Sequence, residues 1–100
     1  MKTYIYKDND GKTIAFEVSN TWLSRRRAVK IVENLDAVKI LKRPIWFSFK
    51  NQDVFCEFKY KGNVYIIEEP WGDSSRYWIG PKEEGNSNAL NEILECFKNA

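Results

Sequence analysis

Two glutamates, Glu57 and Glu68, are the side chains best suited to acid–base chemistry in this sequence. They lie in the stretch 54–69, which predicts a β-hairpin, so the two carboxylates could face each other across its strands. Two facing carboxylates repel each other and raise one pKa, as an acid–base pair requires. Lys59 is a nearby counter-charge, and a solvated sheet face is therefore the favoured interpretation of these residues.

The composition excludes several other kinds of catalytic site. Histidine is absent, which removes the usual base for a Ser or Cys nucleophile. Cys56 and Cys96 are distant in the sequence, so we expect reduced thiols and no zinc site. Residues 8–11 resemble part of a calcium loop but lack its downstream Glu and predict a plain turn. We predict a protein that is not an enzyme and that uses no metal or cofactor.

An aromatic and charged segment is the strongest candidate for a binding site. Within eight residues it contains Trp71, Asp73, Arg76, Tyr77 and Trp78. Trp, Tyr and Arg dominate the energetics of protein interfaces, where truncation of one side chain often costs ~2 kcal/mol or more. We therefore predict that these five residues bind a protein partner. The alternative is a structural plug, with Trp71 folded under the loop and Asp73 paired with Arg76 or the backbone.

A second candidate is the basic cluster Arg25, Arg26, Arg27 and Lys30 at the start of a predicted helix. Positive charges in the first turn of a helix oppose its macrodipole, so a carboxylate, a phosphate or an acidic partner should offset them. The cluster predicts an anion-binding surface, with nucleic acid as the alternative partner.

The charge distribution weighs against a dedicated nucleic-acid-binding protein. Residues 1–50 carry 11 Lys/Arg against 5 Asp/Glu, a net charge of +6, whereas residues 51–100 carry 5 against 9, a net charge of −4. The net charge of the whole chain is only +2. We expect the two halves to attract each other within the fold.

The first half of the chain predicts a hairpin followed by a helix. Residues 3–7 and 12–18 are predicted to be two strands joined by an Asp-Gly turn. The alternation of side chains in the second strand places Ile14, Phe16 and Val18 on one face. Residues 24–34 have the helical spacing of a core-facing apolar stripe, with Ser19, Asn20, Thr21 and Ser24 as candidate N-caps.

The remaining elements are five predicted strands and a second helix. Residues 38–42 favour a strand but could extend the helix, and residues 45–50 alternate as a strand. In the hairpin 54–69 a two-residue loop, either Lys61-Gly62 or Gly62-Asn63, places Tyr65 and Ile67 on the buried face, and a three-residue loop would place Val64 and Ile66 there instead. A strand at 76–79 and a helix capped at Ser87 or Asn88 complete the chain.

The predicted fold is α+β, with the order ββαβββββα and both helices on one face of an antiparallel sheet. We expect one domain over residues 1–100. The first residues lack a signal-peptide core and the chain has no long apolar run, so a cytoplasmic location without membrane contact is predicted. An uncovered strand edge could also support a homodimer.

The segment 71–81, Trp-Gly-Asp-Ser-Ser-Arg-Tyr-Trp-Ile-Gly-Pro, resembles a segment of small uncharacterised bacterial proteins. The size and charged α+β character of the chain are similar to those of bacterial toxin-immunity proteins. The resemblance covers about a tenth of the chain and assigns no role to any residue. It implies a non-catalytic module of the inhibitor or immunity type that masks a bacterial partner.

Overall fold

Six strands and two helices make up the part of the chain that the computed structural model describes, namely residues 2–43, 54–70, 75–85 and 88–100. The sheet is antiparallel throughout, with the strand order β1-β2-β6-β5-β4-β3. The α+β class and the antiparallel sheet are thereby confirmed, and residues 38–42 contribute a strand rather than a longer helix. The predicted strand at 45–50 lies outside the described residues. The elements are β1 (Thr3–Lys7), β2 (Thr13–Ser19), α1 (Arg25–Val32), β3 (Lys39–Lys42), β4 (Val54–Tyr60), β5 (Asn63–Glu68), β6 (Arg76–Pro81) and α2 (Leu90–Lys98).

Both predicted hairpins are present, and the turn of the second one decides its register. Lys61 and Gly62 form a two-residue loop with φ angles of 50° and 84°. Positive φ at both central residues is typical of a type I′ turn, which matches the twist of the flanking strands. Tyr65 and Ile67 consequently point into the core, and Val64 and Ile66 lie on the other face.

One face of the sheet is buried beneath both helices, as the sequence predicts. The apolar stripe of α1 and that of α2 contact the inward-facing residues of the central strands in a single cluster. The largest fully buried side chains are Tyr65, Phe16, Phe55, Phe58, Phe97, Ile67, Ile79, Leu90 and Ile93. Neither of the two described helices lies on the opposite face of the sheet, and we call it the open face.

Two β-bulges change which side chains reach the core. The register shifts between Tyr6 and Lys7, so that Ile14 has no direct partner on β1. Ile14 is 43% exposed and Thr13 is buried, so the prediction that Ile14 shares a face with Phe16 and Val18 is wrong. A bulge places two residues opposite one and re-aims their side chains.

The second bulge lies near the start of β4, between Val54 and Cys56. It allows the consecutive residues Phe55 and Cys56 to be buried together, where simple alternation would bury only one of them. Burial raises the pKa of the Cys56 thiol to about 12, which disfavours the reactive thiolate.

The helix starts are satisfied in different ways. Ser24 caps α1, because its hydroxyl oxygen accepts a hydrogen bond of 3.1 Å from the Arg27 N–H. The predicted cap of α2 at Ser87 or Asn88 is wrong: Ala89 occupies the N-cap position and makes no side-chain cap bond. The Ala89 N–H instead donates to the hydroxyl of Tyr65, at 3.2 Å. Neither described helix is long and apolar enough to cross a membrane.

Replacement of Tyr65 by Phe tests this link between β5 and α2. The variant keeps the ring in the core and leaves the Ala89 N–H without its partner. We expect the free energy of unfolding to fall by about 1–2 kcal/mol, the usual effect of stranding a buried donor. Urea denaturation measures it, and Tyr4→Phe is the control because Tyr4 is only half-buried. Equal stability of Tyr65→Phe and the wild type would contradict the capping role.

Candidate functional site

Aromatic and charged side chains line up on the open face where β1, β2 and β6 are adjacent. Glu17 on β2 is opposite both Tyr4 on β1 and Trp78 on β6. Tyr6 and Arg76 lie on either side of this row, because alternate residues of a strand share a face. The three strands thus bring residues distant in sequence to one surface, and we call these five residues the aromatic row.

Glu17 organises the aromatic row through hydrogen bonds. Its Oε1 atom accepts from the hydroxyl of Tyr6 and, at 3.3 Å, from Nη1 of Arg76. The Arg76 guanidinium carbon also lies 3.4 Å from the centroid of the Tyr4 ring, a cation–π contact. The hydrogen bond to the Glu17 carboxylate raises the pKa of Tyr6, because it favours the protonated hydroxyl that donates. These contacts restrict the side chains before any partner binds.

Trp78 is positioned by the absence of a side chain at Gly80. A Cβ atom built on Gly80 would lie 2.5 Å and 2.8 Å from two ring carbons of Trp78. The indole therefore lies directly over this glycine. A residue of any other type at position 80 would displace the ring from its place on the open face.

A pocket of about 580 Å³ adjoins Trp78 on the open face. The bulge in β2 brings Ile14 to its wall, beside Ala15 and the rings of Tyr6 and Trp78. Its volume is within the range of pockets that hold small molecules or large side chains. The end of β6 and the segment that follows it also line the pocket, with Pro81, Lys82, Glu84 and Gly85.

The predicted partner-binding residues separate into three groups. Arg76 and Trp78 lie on the open face, as the strand alternation indicates. Tyr77 points the opposite way and is 5% exposed, so it cannot contribute contact surface in this fold. Its hydroxyl donates to the Leu23 carbonyl at 2.8 Å, and burial raises its pKa to about 12. Trp71 and Asp73 lie outside the described residues.

The basic cluster is also divided. Arg25 donates through Nε and Nη2 to Oε1 of Glu69, at 2.9 Å and 2.7 Å. Glu69 belongs to the acidic half of the chain, and it is the kind of carboxylate expected to offset charge at the start of α1. Arg26, Arg27 and Lys30 are exposed on the outer side of α1. They form the part of the cluster that an external anion can reach.

The two glutamates considered as an acid–base pair are not opposite each other. Glu57 is opposite Ile66, and Glu68 is opposite Val54 and Trp78. The offset follows from the Lys61-Gly62 loop, which sets Glu57 opposite Ile66, while the β4 bulge changes the pairing only beyond Cys56. A Lys82 ammonium lies 3.0 Å from the Glu57 carboxylate and neutralises it. Among the described residues no group of His, Cys, Asp and Glu is arranged to hold a metal ion.

Trp22 is the exposed residue that the sequence analysis missed. It is 91% exposed, with a φ of 67°, in a turn closed by a 3.0 Å hydrogen bond from the Leu23 N–H to the Asn20 carbonyl. Positive φ is uncommon for a residue with a bulky side chain. The sequence does contain a signal for this exposure. Trp22 precedes the apolar stripe of α1 and does not fall on any of its core-facing positions. Asn20 also donates its N–H to the Ser75 carbonyl at 2.9 Å, which fixes this turn against the start of β6.

A double-mutant cycle tests the stacking of Trp78 on Gly80. We expect Gly80→Ala to lower the free energy of unfolding by about 1–3 kcal/mol, because the added methyl overlaps the indole. In a Trp78→Ala background the same change should have a much smaller effect, since no ring is left to displace. Chemical denaturation of the four proteins gives the coupling energy. Additive effects would show that the indole does not depend on Gly80.

Comparison of the chain with protein-family models, with curated proteins and with solved structures gives no match. Any functional conclusion therefore depends on the residues and geometry described above.

Proposed function

We propose that this protein is a non-catalytic protein-binding module that contacts its partner through the open face. The contact surface comprises the aromatic row and Ile14 at the pocket wall. Tyr, Trp and Arg are enriched among residues that dominate interface energies. The finer proposal, which follows from the resemblance noted in the sequence, is a role of the inhibitor or immunity type toward a bacterial protein.

The network centred on Glu17 is the observation that supports this proposal most strongly. It holds Tyr6 and Arg76 on a face of the sheet that no described helix covers. Arg76 is further fixed by its stack on Tyr4. Side chains ordered in advance lose less conformational entropy on binding, so more of the contact energy contributes to affinity.

The pocket supplies a place for an anchor from the partner. Its walls are mainly apolar, with the rings of Tyr6 and Trp78 on one side. Lys82 and Glu84 provide charges of both signs on the other side. An apolar or aromatic side chain of the partner fits such a pocket, while polar groups around it fix the orientation.

Co-purification from the native host, followed by binding measurements with the recovered protein, tests the proposal. We expect Trp78→Ala and Arg76→Ala each to weaken binding by about tenfold or more, as loss of a central hot spot does. Trp22→Ala is the matched control, because it removes an exposed tryptophan that is not on the open face. Thermal unfolding establishes that each variant is folded.

Wild-type affinity in the Trp78→Ala and Arg76→Ala variants would exclude the open face as the binding surface. Failure to recover any specific partner at micromolar bait concentrations would count against the protein-binding function itself.

A second candidate function, single-stranded nucleic-acid binding, is favoured by the exposure of Trp22. This tryptophan precedes α1, whose outer side bears Arg26, Arg27 and Lys30. Proteins that bind single strands combine basic side chains along the backbone with aromatic rings on which bases stack. No acidic residue occupies the first turn of α1 to oppose such a ligand.

Titration with a single-stranded RNA of about ten nucleotides tests this second function. We expect Trp22→Asn to weaken binding at least about fivefold, because one stacking contact is lost. Asn tolerates the left-handed conformation, so stability should not fall. Affinity should also decrease steeply with salt, and Lys98→Ala on α2 is the control for loss of a single charge. No binding at about 50 mM salt would exclude this function.

A further inference from the structure

Within the described part of the chain, the strand β1 lies at an edge of the sheet and is hydrogen-bonded to β2 alone. Its sequence, Thr-Tyr-Ile-Tyr-Lys, has high β-propensity and contains neither Pro nor Gly. Ile5 is 40% exposed because the helices cover the sheet nearer to its centre. An exposed apolar edge of this kind is a template for another strand.

The direction of the free backbone groups follows from the pairing with β2. The Ser19 N–H donates to the Lys2 carbonyl at 3.1 Å, and the Asp8 N–H donates to the Lys12 carbonyl at 2.9 Å. Backbone hydrogen bonds alternate along a strand, so the even-numbered residues of β1 are bonded toward β2. The N–H and C=O groups of Thr3, Ile5 and Lys7 consequently point away from the sheet, toward the free edge.

We propose that two copies of this chain associate through β1, antiparallel, with the two-fold axis at Ile5. In this register Ile5 forms a hydrogen-bonded pair with Ile5 of the partner subunit. Thr3 pairs with Lys7 of the partner subunit, and the reciprocal pair forms on the other side of the axis. Every outward-facing backbone group of β1 is then satisfied, and the two sheets become one.

The side chains are self-complementary in the same register. Tyr4 lies opposite Tyr6 of the partner subunit, and aromatic cross-strand pairs stabilise sheets. Lys2 lies opposite Asp8 of the partner subunit, so the charges at both ends of the interface are opposite in sign. On the helix side, the two Ile5 side chains cover each other. No like charges face each other across the axis.

The strand at the other edge of the described sheet, β3, is less suited to this association. It has four residues, and Lys39 and Lys42 occupy its ends. Its register with β4 also shifts between Ile40 and Lys42, which bends the edge. Lysines and bulges are the usual protection against edge pairing. Because β1 is better suited to pairing than β3, association through one edge is favoured. Association through one edge closes at two copies and gives a dimer.

The interface is small, since it consists mainly of two short strands. We expect a dissociation constant of roughly 10–100 µM, because stable dimers usually bury more surface. Sedimentation velocity from about 1 µM to about 500 µM should show a shift from monomer to dimer. A monomer throughout this range would overturn the proposal.

Charge substitutions at Ile5 test the register itself. Ile5→Glu alone and Ile5→Lys alone each place like charges together at the axis, and each should raise the dissociation constant at least about tenfold. An equimolar mixture of the two variants should form a heterodimer, because the opposite charges then face each other. Only a register centred on position 5 predicts this recovery.

Leu41→Glu is the matched control, because Leu41 is 44% exposed on the other edge strand. We expect it to dimerise like the wild type, and circular dichroism establishes that all variants are folded. Loss of dimerisation in the Leu41→Glu variant would overturn the β1 interface. Failure of the mixed Ile5→Glu and Ile5→Lys variants to form a heterodimer would overturn it as well. These outcomes are independent of the open-face partner, which is tested with Arg76 and Trp78.

Discussion

One-sided burial of the sheet is the constraint on which the other features of this protein depend. Two short helices, α1 and α2, bury their apolar stripes against the inner face of the sheet. Burial of apolar side chains is the main stabilising contribution, and here it is concentrated on that face. The open face contributes less to the core, so aromatic and charged residues such as Trp78 and Glu17 can remain partly accessible there. The residues available for recognition are those that the helices do not cover.

Contacts at one end of the sheet connect the two halves of the chain. The Tyr77 hydroxyl binds the Leu23 carbonyl, and Arg25 binds Glu69. Arg76, from the acidic half, also binds Glu17 from the basic half. The Arg25–Glu69 pair offsets charge between the basic and the acidic half, whereas the Arg76–Glu17 pair joins the minority charges of the two halves. This arrangement places the start of α1, the exposed Trp22 turn and β6 in fixed positions relative to one another.

Regular patterns made the helices and most strands predictable, and irregular backbone limited the prediction of the site. Alternation along β6 places Tyr77 and Trp78 on opposite faces, but sequence alone did not indicate which face the two described helices cover. Ile14 was predicted on the same face as Phe16 and Val18 because strict alternation does not account for a bulge. The start of α2 was misassigned because Tyr65, distant in sequence, takes the place of a local cap. Trp22 was not predicted as a site residue, although it matches no position of the helix stripe, because the prediction followed periodic segments and Trp22 precedes α1.

Because of the bulge, a substitution at Ile14 can change the binding surface with little effect on the stability of the fold. In a regular strand Ile14 would pack beside Phe16, and most substitutions there would lower stability through cavities or overpacking. On the surface the same position can change in size and charge with little effect on the fold. Substitutions at the pocket wall can therefore be selected without compensating substitutions in the core. A single unpaired residue in β2 gives this surface the capacity to evolve new specificity.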